Sequence, residues 1–201
     1  MAEAFLFRGC DKLYFGEVTE SVSEAGVSTL TFTAPEKLAA VKEVGKTTAS
    51  DSATHYGDNK GLVVVNSEGD DEITFSVFGI SPDVLAKLTG KTFDKTTGIY
   101  INTQRTFKYH YVMWREKLTT GKYRYNIAYK GSFNIPDTTV AGEDDGTDAN
   151  GQDLTFKSVF TEMEFKDGKA SKGYFIDTTY NETINAETFF AAVKTQDEYS
   201  A

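Results

Sequence analysis

The 201 residues carry 21 basic and 30 acidic side chains, a formal net charge of −9, with 39% apolar and 25% charged residues. These fractions are those of a chain able to bury a core, and the length suits one β-rich domain. No apolar run approaches the ~20 residues that a membrane helix needs, and the acidic balance, with no block of Lys and Arg, speaks against a protein that grips nucleic acid through clustered basic residues.

Cys10 is the sole cysteine, so no intrachain disulfide forms. The short apolar run Ala4 to Phe7 has no basic residue before it, unlike a secretory leader. A reducing cytoplasm is therefore the expected place of folding. The aromatic content, 15 Phe, 11 Tyr and 1 Trp, favours pleated, half-buried surfaces.

In chain order, residues 12–18 read as a strand with Leu13 and Phe15 on one face. Residues 27–33 read as a second, Leu30 and Phe32 alternating with threonines. Between Pro35 and Gly45, Leu38, Val41 and Val44 recur every third residue, which predicts a short helix over 35–45. The polar stretch 46–59 predicts a long functional or flexible arm or loop. The run Leu62 to Val65 predicts a buried strand, and Ser67-Glu68-Gly69-Asp70-Asp71 a turn. Residues 72–78 alternate cleanly, with Ile73, Phe75 and Val77 inward. Ser81 as N-cap, Pro82, Asp83 and a closing Gly90 predict a two-turn helix presenting Val84, Leu85 and Leu88.

Residues 98–133 predict a β-meander with Tyr and Phe on one face and His110 on a polar, surface face. Lys108, Arg115, Lys122, Arg124 and Lys130 read as solvated strand positions. Residues 137–153 hold Glu143, Asp144, Asp145, Asp148 and Asp153 with no basic residue, predicting an acidic loop. A hairpin follows over 154–165 and 172–178 through Asp167-Gly168, with a bulge near Ser158. Residues 185–193 predict a short helix capped by Asn185, and 194–201 a frayed end. The expected fold is a single domain, mainly β, a sandwich or barrel of antiparallel strands flanked by one or two short helices.

Chemistry is sparse in the sequence. Its two histidines, His55 and His110, neighbour no nucleophile elbow, no zinc spacing arises from one Cys and two His, and no phosphate-cradling glycine run exists. An EF-hand frame with Gly151 at its sixth position puts Gly146 and Lys157 where oxygen ligands belong, so it fails. No catalytic residue, metal or cofactor is expected. Asn181-Glu182-Thr183 fits a glycosylation acceptor and reads as chance.

Several short motifs in order carry more. Tyr56-Gly57-Asp58-Asn59 precedes an acidic strand, Asp71-Glu72-Ile73-Thr74-Phe75. The helix Ser81 to Gly90 follows, then Lys130-Gly131-Ser132-Phe133-Asn134-Ile135-Pro136 before the variable loop. Over residues 10–193 this order resembles the major tail proteins of long-tailed, non-contractile phages of Gram-positive bacteria. Gly57 stands where that family's motif usually has Ala, and the 137–153 loop is unusually acidic.

The resemblance implies a tail-tube fold similar to the tube protein of type VI secretion systems. It implies a virion structural protein, assembled in the bacterial cytoplasm, whose hexameric rings stack into a tube around a tape-measure protein. The tube meets a tail terminator and a distal tail protein and conducts DNA without binding it. Six copies of a −9 chain would carry about −54, a wall that repels phosphates. His55, Tyr56, Asp58, Asn59, Glu143, Asp144, Asp145 and Asp148 are the candidate contacts between subunits or rings. The alternatives are another tail, baseplate or secretion-tube component on the same fold, or a monomeric glycan-binding module using exposed Tyr and Trp114.

Overall fold

The structure, a computed structural model, describes residues 6–24, 26–57, 60–137 and 151–199; at 54–57 and 60–65 it describes the backbone alone. The strands are β1 (Phe7–Val22), β2 (Ser28–Phe32), β3 (Glu36–Gly57), β4 (Lys60–Phe78), β5 (Thr92–Asp94), β6 (Ile99–Ile101), β7 (His110–Leu118), β8 (Tyr123–Phe133), β9 (Gln152–Ser158) and β10 (Gly173–Asp177). Among the described residues the α-helices are two short ones, α1 (Pro82–Thr89) and α2 (Ala186–Phe189). The main sheet runs β8-β7-β1-β3-β4-β9, every neighbour antiparallel, and β9 returns to pair with β8. Six strands therefore close into a barrel, which removes the sheet's edges around the ring. β2 hangs off β1, and β10 off β8.

Period-two patterning fills the barrel. Leu13 and Phe15 of β1, Ile73, Phe75 and Val77 of β4, Val112 and Trp114 of β7, and Leu154 and Phe156 of β9 form one buried cluster. Val84 and Leu88 of α1 join it and cap one end, while Leu85 is only half-buried. The capping chemistry of α1 is as expected: Ser81 Oγ accepts from the Val84 amide, and Gly90 closes in the left-handed region at φ 65°. The alternate residues of β7 and β8, Tyr111, Met113, Tyr125, Ile127 and Tyr129, face outward. There β2, Phe165, Phe189 and Phe190 cover them in a second cluster.

The seam is narrow. β8 and β9 share only Gly131↔Ser158, Ser132↔Lys157 and Phe133↔Phe156. A Cβ on Gly131 would sit 2.2 Å from the Lys157 carbonyl oxygen and 2.5 Å from the Phe156 ring. Only glycine lets the two backbones approach so closely.

Several expectations are corrected. Residues 36–45, within the expected helix over 35–45, are the start of β3. Leu38 is an extra residue against β1 and Lys42 an extra residue against β4, and each bulge reverses the in–out parity, so Leu38, Val41 and Val44 share a face in a strand. Residues 67–71 do not turn: Gly69-Asp70 is a bulge opposite Ala49 within a continuous β4. The meander over 98–133 is interrupted, since β6 pairs with β5 and residues 102–109 lie outside strands. The 154–165 strand ends at Ser158, β10 pairs with β8, and Asp167-Gly168 turns only a single Glu164↔Ala170 bridge. Residues 194–199 are docked rather than frayed, the Gln196 amide donating to Tyr129 Oη at 2.7 Å and Asp197 accepting from the Lys166 amide.

His110 is also corrected, being 1% exposed rather than on the surface. Its ring lies 6.2 Å from Phe15 and 5.8 Å from Phe133, and among the described residues neither ring nitrogen has a hydrogen-bond partner at normal geometry. Burial pushes the imidazole below its ordinary range, against the pull of the Glu17 carboxylate. The unfolded chain then binds the proton more readily. Stability should hold steady above about pH 6.5 and fall below it by up to about 1.4 kcal/mol per pH unit, until the folded pKa is reached. Chemical denaturation between pH 7.5 and 5 should show this slope in the wild type and a flatter profile in His110→Phe. Separately, Gly131→Ala should cost about 1–3 kcal/mol by forcing the seam apart, read as a lowered denaturation midpoint.

Candidate functional site

The pairing of β3 with β1 ends at Ala39, and that of β4 with β9 ends at Asp71. Beyond those points β3 and β4 pair with each other, from Ser50↔Glu68 out to Gly57↔Lys60. At about 3.3 Å per residue this ribbon extends roughly 30 Å past Thr48. Residues 45–53 and 66–70 are exposed on both faces. The polar stretch 46–59 is therefore a strand arm where it is described, and a Thr- and Ser-rich sequence explains why it finds no core to join. A two-stranded ribbon is marginal by itself in water, so its outer half depends on its base or on a partner.

The base is held by charge. Lys172, just before β10, has a side chain only 8% exposed. Its ammonium donates to Glu68 at 2.6 Å and Asp71 at 3.0 Å and lies 4.5 Å from the centre of the Phe160 ring. Lys46 of β3 approaches Asp71 from the other side at 2.7 Å. Burial works to raise the Asp71 carboxyl, but hydrogen bonds from Lys46 and Lys172 outweigh it and hold it below the ordinary carboxylate range. Burial likewise works to lower Lys172, and its bonds to Glu68 and Asp71 raise it instead. Asp71 and Lys172 are thus both held in their charged forms. It walls a cleft of about 480 Å³ that also takes in Trp114, Asn126, Phe160 and Phe175.

A second ion pair fixes residues 159–172, the strap joining β9 to β10. Lys130 Nζ donates to Glu20 Oε2 at 2.6 Å, the two side chains being 9% and 5% exposed. The other Glu20 oxygen accepts from the Glu162 and Met163 amides, both at 2.7 Å. Lys130 is accordingly no solvated strand position. Its partner lies 110 residues away, so no local pattern announces it.

Of the sequence-predicted contacts, His55 and Tyr56 fall in the last residues of β3, at the far end of the arm, where the backbone alone is described. Asp58, Asn59, Glu143, Asp144, Asp145 and Asp148 lie outside the described residues, as does the acidic loop apart from residue 137 and residues 151–153. Asp153 belongs to β9, where it accepts from Ser76 Oγ at 2.6 Å. Trp114 is 4% exposed and its indole N–H donates to Glu116, so it presents no platform for a sugar. The residues of this ion cluster that sequence reasoning did not bring together are Lys172, Glu68, Asp71 and Lys46. Their signal was a run of acids inside an otherwise strand-like stretch.

Removing Lys130 leaves Glu20 buried without its cation. Lys130→Met should destabilise the chain by about 3–5 kcal/mol. The double variant Lys130→Met/Glu20→Gln should recover part of that loss, because the amide oxygen still accepts from the strap. Urea denaturation of the single and double variants gives the coupling directly.

No protein-family model matches the chain, and no curated protein matches it. The tail-tube resemblance rests on its motifs, of which the structure locates Tyr56-Gly57 at the end of β3, Asp71 to Phe75 in β4, Ser81 to Gly90 around α1 and Lys130 to Pro136 at the exit of β8.

Proposed function

We propose that this chain is a structural subunit that assembles with copies of itself, as the tail-tube resemblance implies. Its rings would stack into a hollow tube around a tape-measure protein, capped by a terminator and a distal tail protein. The observation that carries this reading is the arm, a two-stranded ribbon of about 30 Å beyond the barrel, exposed on both faces wherever its side chains are described. Such a ribbon gains stability when a neighbour covers it, and a closed ring of subunits gives every arm the same neighbour. The β3 half of the ribbon is polar, rich in Thr, Ser and Asp, which guards that strand against aggregation before assembly. The net charge of −9 gives such a tube an acidic character through which DNA slides without adhering.

The test is the mass and shape of the purified chain. Negative-stain images over a concentration series should show rings or tubes of uniform width, with scattering mass near six times 22.2 kDa, about 133 kDa, for the ring. A variant with residues 50–68 replaced by a short Gly-Ser turn should keep the barrel's thermal transition and lose assembly. A strict monomer at all concentrations, even with the distal tail protein added, would contradict the proposal. So would an arm-shortened variant that builds normal tubes.

A further inference from the structure

We infer that the arm is a hinged lever and that Lys172 is the latch that sets its angle to the barrel. The arm leaves the barrel at a weak point: Thr48 pairs with Asp71 and Ser50 with Glu68, so Gly69 and Asp70 together oppose Ala49. A bulge leaves a ladder position unpaired and bends and twists the strand there. Glu68 and Asp71 flank that bulge, Glu68 on the arm side and Asp71 on the barrel side. The single Lys172 ammonium bonds to both, at 2.6 Å and 3.0 Å, and so spans the hinge.

The geometry fits a latch rather than a surface pair. Lys172 is anchored on its own side: its side chain is buried, its carbonyl accepts from the Tyr129 amide, and its ammonium packs against Phe160. The pull on Glu68 is therefore exerted from a fixed point. Glu68 itself is exposed, with a side chain 61% open to solvent, so it can let go without leaving a buried charge. Asp71 does not need Lys172 for neutralisation, because Lys46 pairs with it at 2.7 Å. Releasing the latch therefore frees the hinge while sparing the core. The inference concerns the single chain and holds whether or not the chain builds tubes.

Spin labels at Ala53→Cys on the arm and Thr120→Cys in the β7–β8 turn, in a Cys10→Ser background, report the arm angle as a distance distribution. Both labelled positions are exposed. With Lys172 present the distribution should be narrow. In Lys172→Met and in Glu68→Gln it should broaden at least twofold or shift by several ångströms, since a swing of 15° moves a point about 16 Å out by roughly 4 Å. Lys172→Arg should restore the narrow distribution. A Lys172→Met protein with wild-type circular dichroism and an unchanged distribution would overturn the latch. If Lys172→Met does not fold, Glu68→Gln decides: broadening supports the latch, and an unchanged distribution overturns it.

Discussion

The barrel closes over three residue pairs between β8 and β9, and the shape of the molecule follows from where that seam stops. At Gly131 the two backbones touch as closely as two strands do, and a methyl group would collide with the Lys157 carbonyl. Past Gly131, β8 turns its pairing from β9 to β10, while β9 ends at Ser158. β4 is then left with β3 alone, and the pair runs on as a free ribbon. Closure thus produces two things at once: a sealed apolar interior on one side of the seam, and a flared end bearing an arm on the other.

Polar chemistry is concentrated where closure ends. Hydrophobic burial holds the ring, but at the flared end backbone pairing is incomplete and charge takes over. Lys172 ties the strap to the arm base, and Lys130 with Glu20 ties the strap to β1 and β8. The buried ion pairs among these, Lys172–Asp71 and Lys130–Glu20, add little net stability over an apolar packing, but their hydrogen bonds add geometric specificity. At the base of a lever that specificity matters more than the energy. A partner meeting the arm then meets it at a fixed direction, and less ordering cost remains for association.

What could be read from the sequence divides along physical lines. Ile73, Phe75 and Val77 announced their strand because nothing interrupts their alternation, and Ser81, Pro82 and Gly90 announced α1 because capping is local chemistry. The mainly β, antiparallel character followed from the same patterns. Leu38, Val41 and Val44 misled because two bulges give a strand the spacing of a helix. Gly69 and Asp70 misled because a bulge and a turn use the same residues. The pairing of β10 with β8 rather than β9, the burial of His110 and the partnership of Lys130 with Glu20 are all long-range, so no window of sequence contains them. The arm was legible as a polar stretch of unusual length. Its latch was not, because Lys172 lies about a hundred positions from the carboxylates it joins.

The central claim is that the arm is the incomplete part of a complete barrel, made to be covered by a neighbour. Hydrogen exchange resolved along the chain, at rising protein concentration, tests it most directly. Amides of residues 50–57 and 60–68 should exchange fast in dilute protein, and slow by orders of magnitude as assemblies form, while β1, β7 and β8 stay protected throughout. Arm amides as slow as those of the barrel in the dilute monomer, or arm exchange unchanged once assemblies are present, would contradict the account.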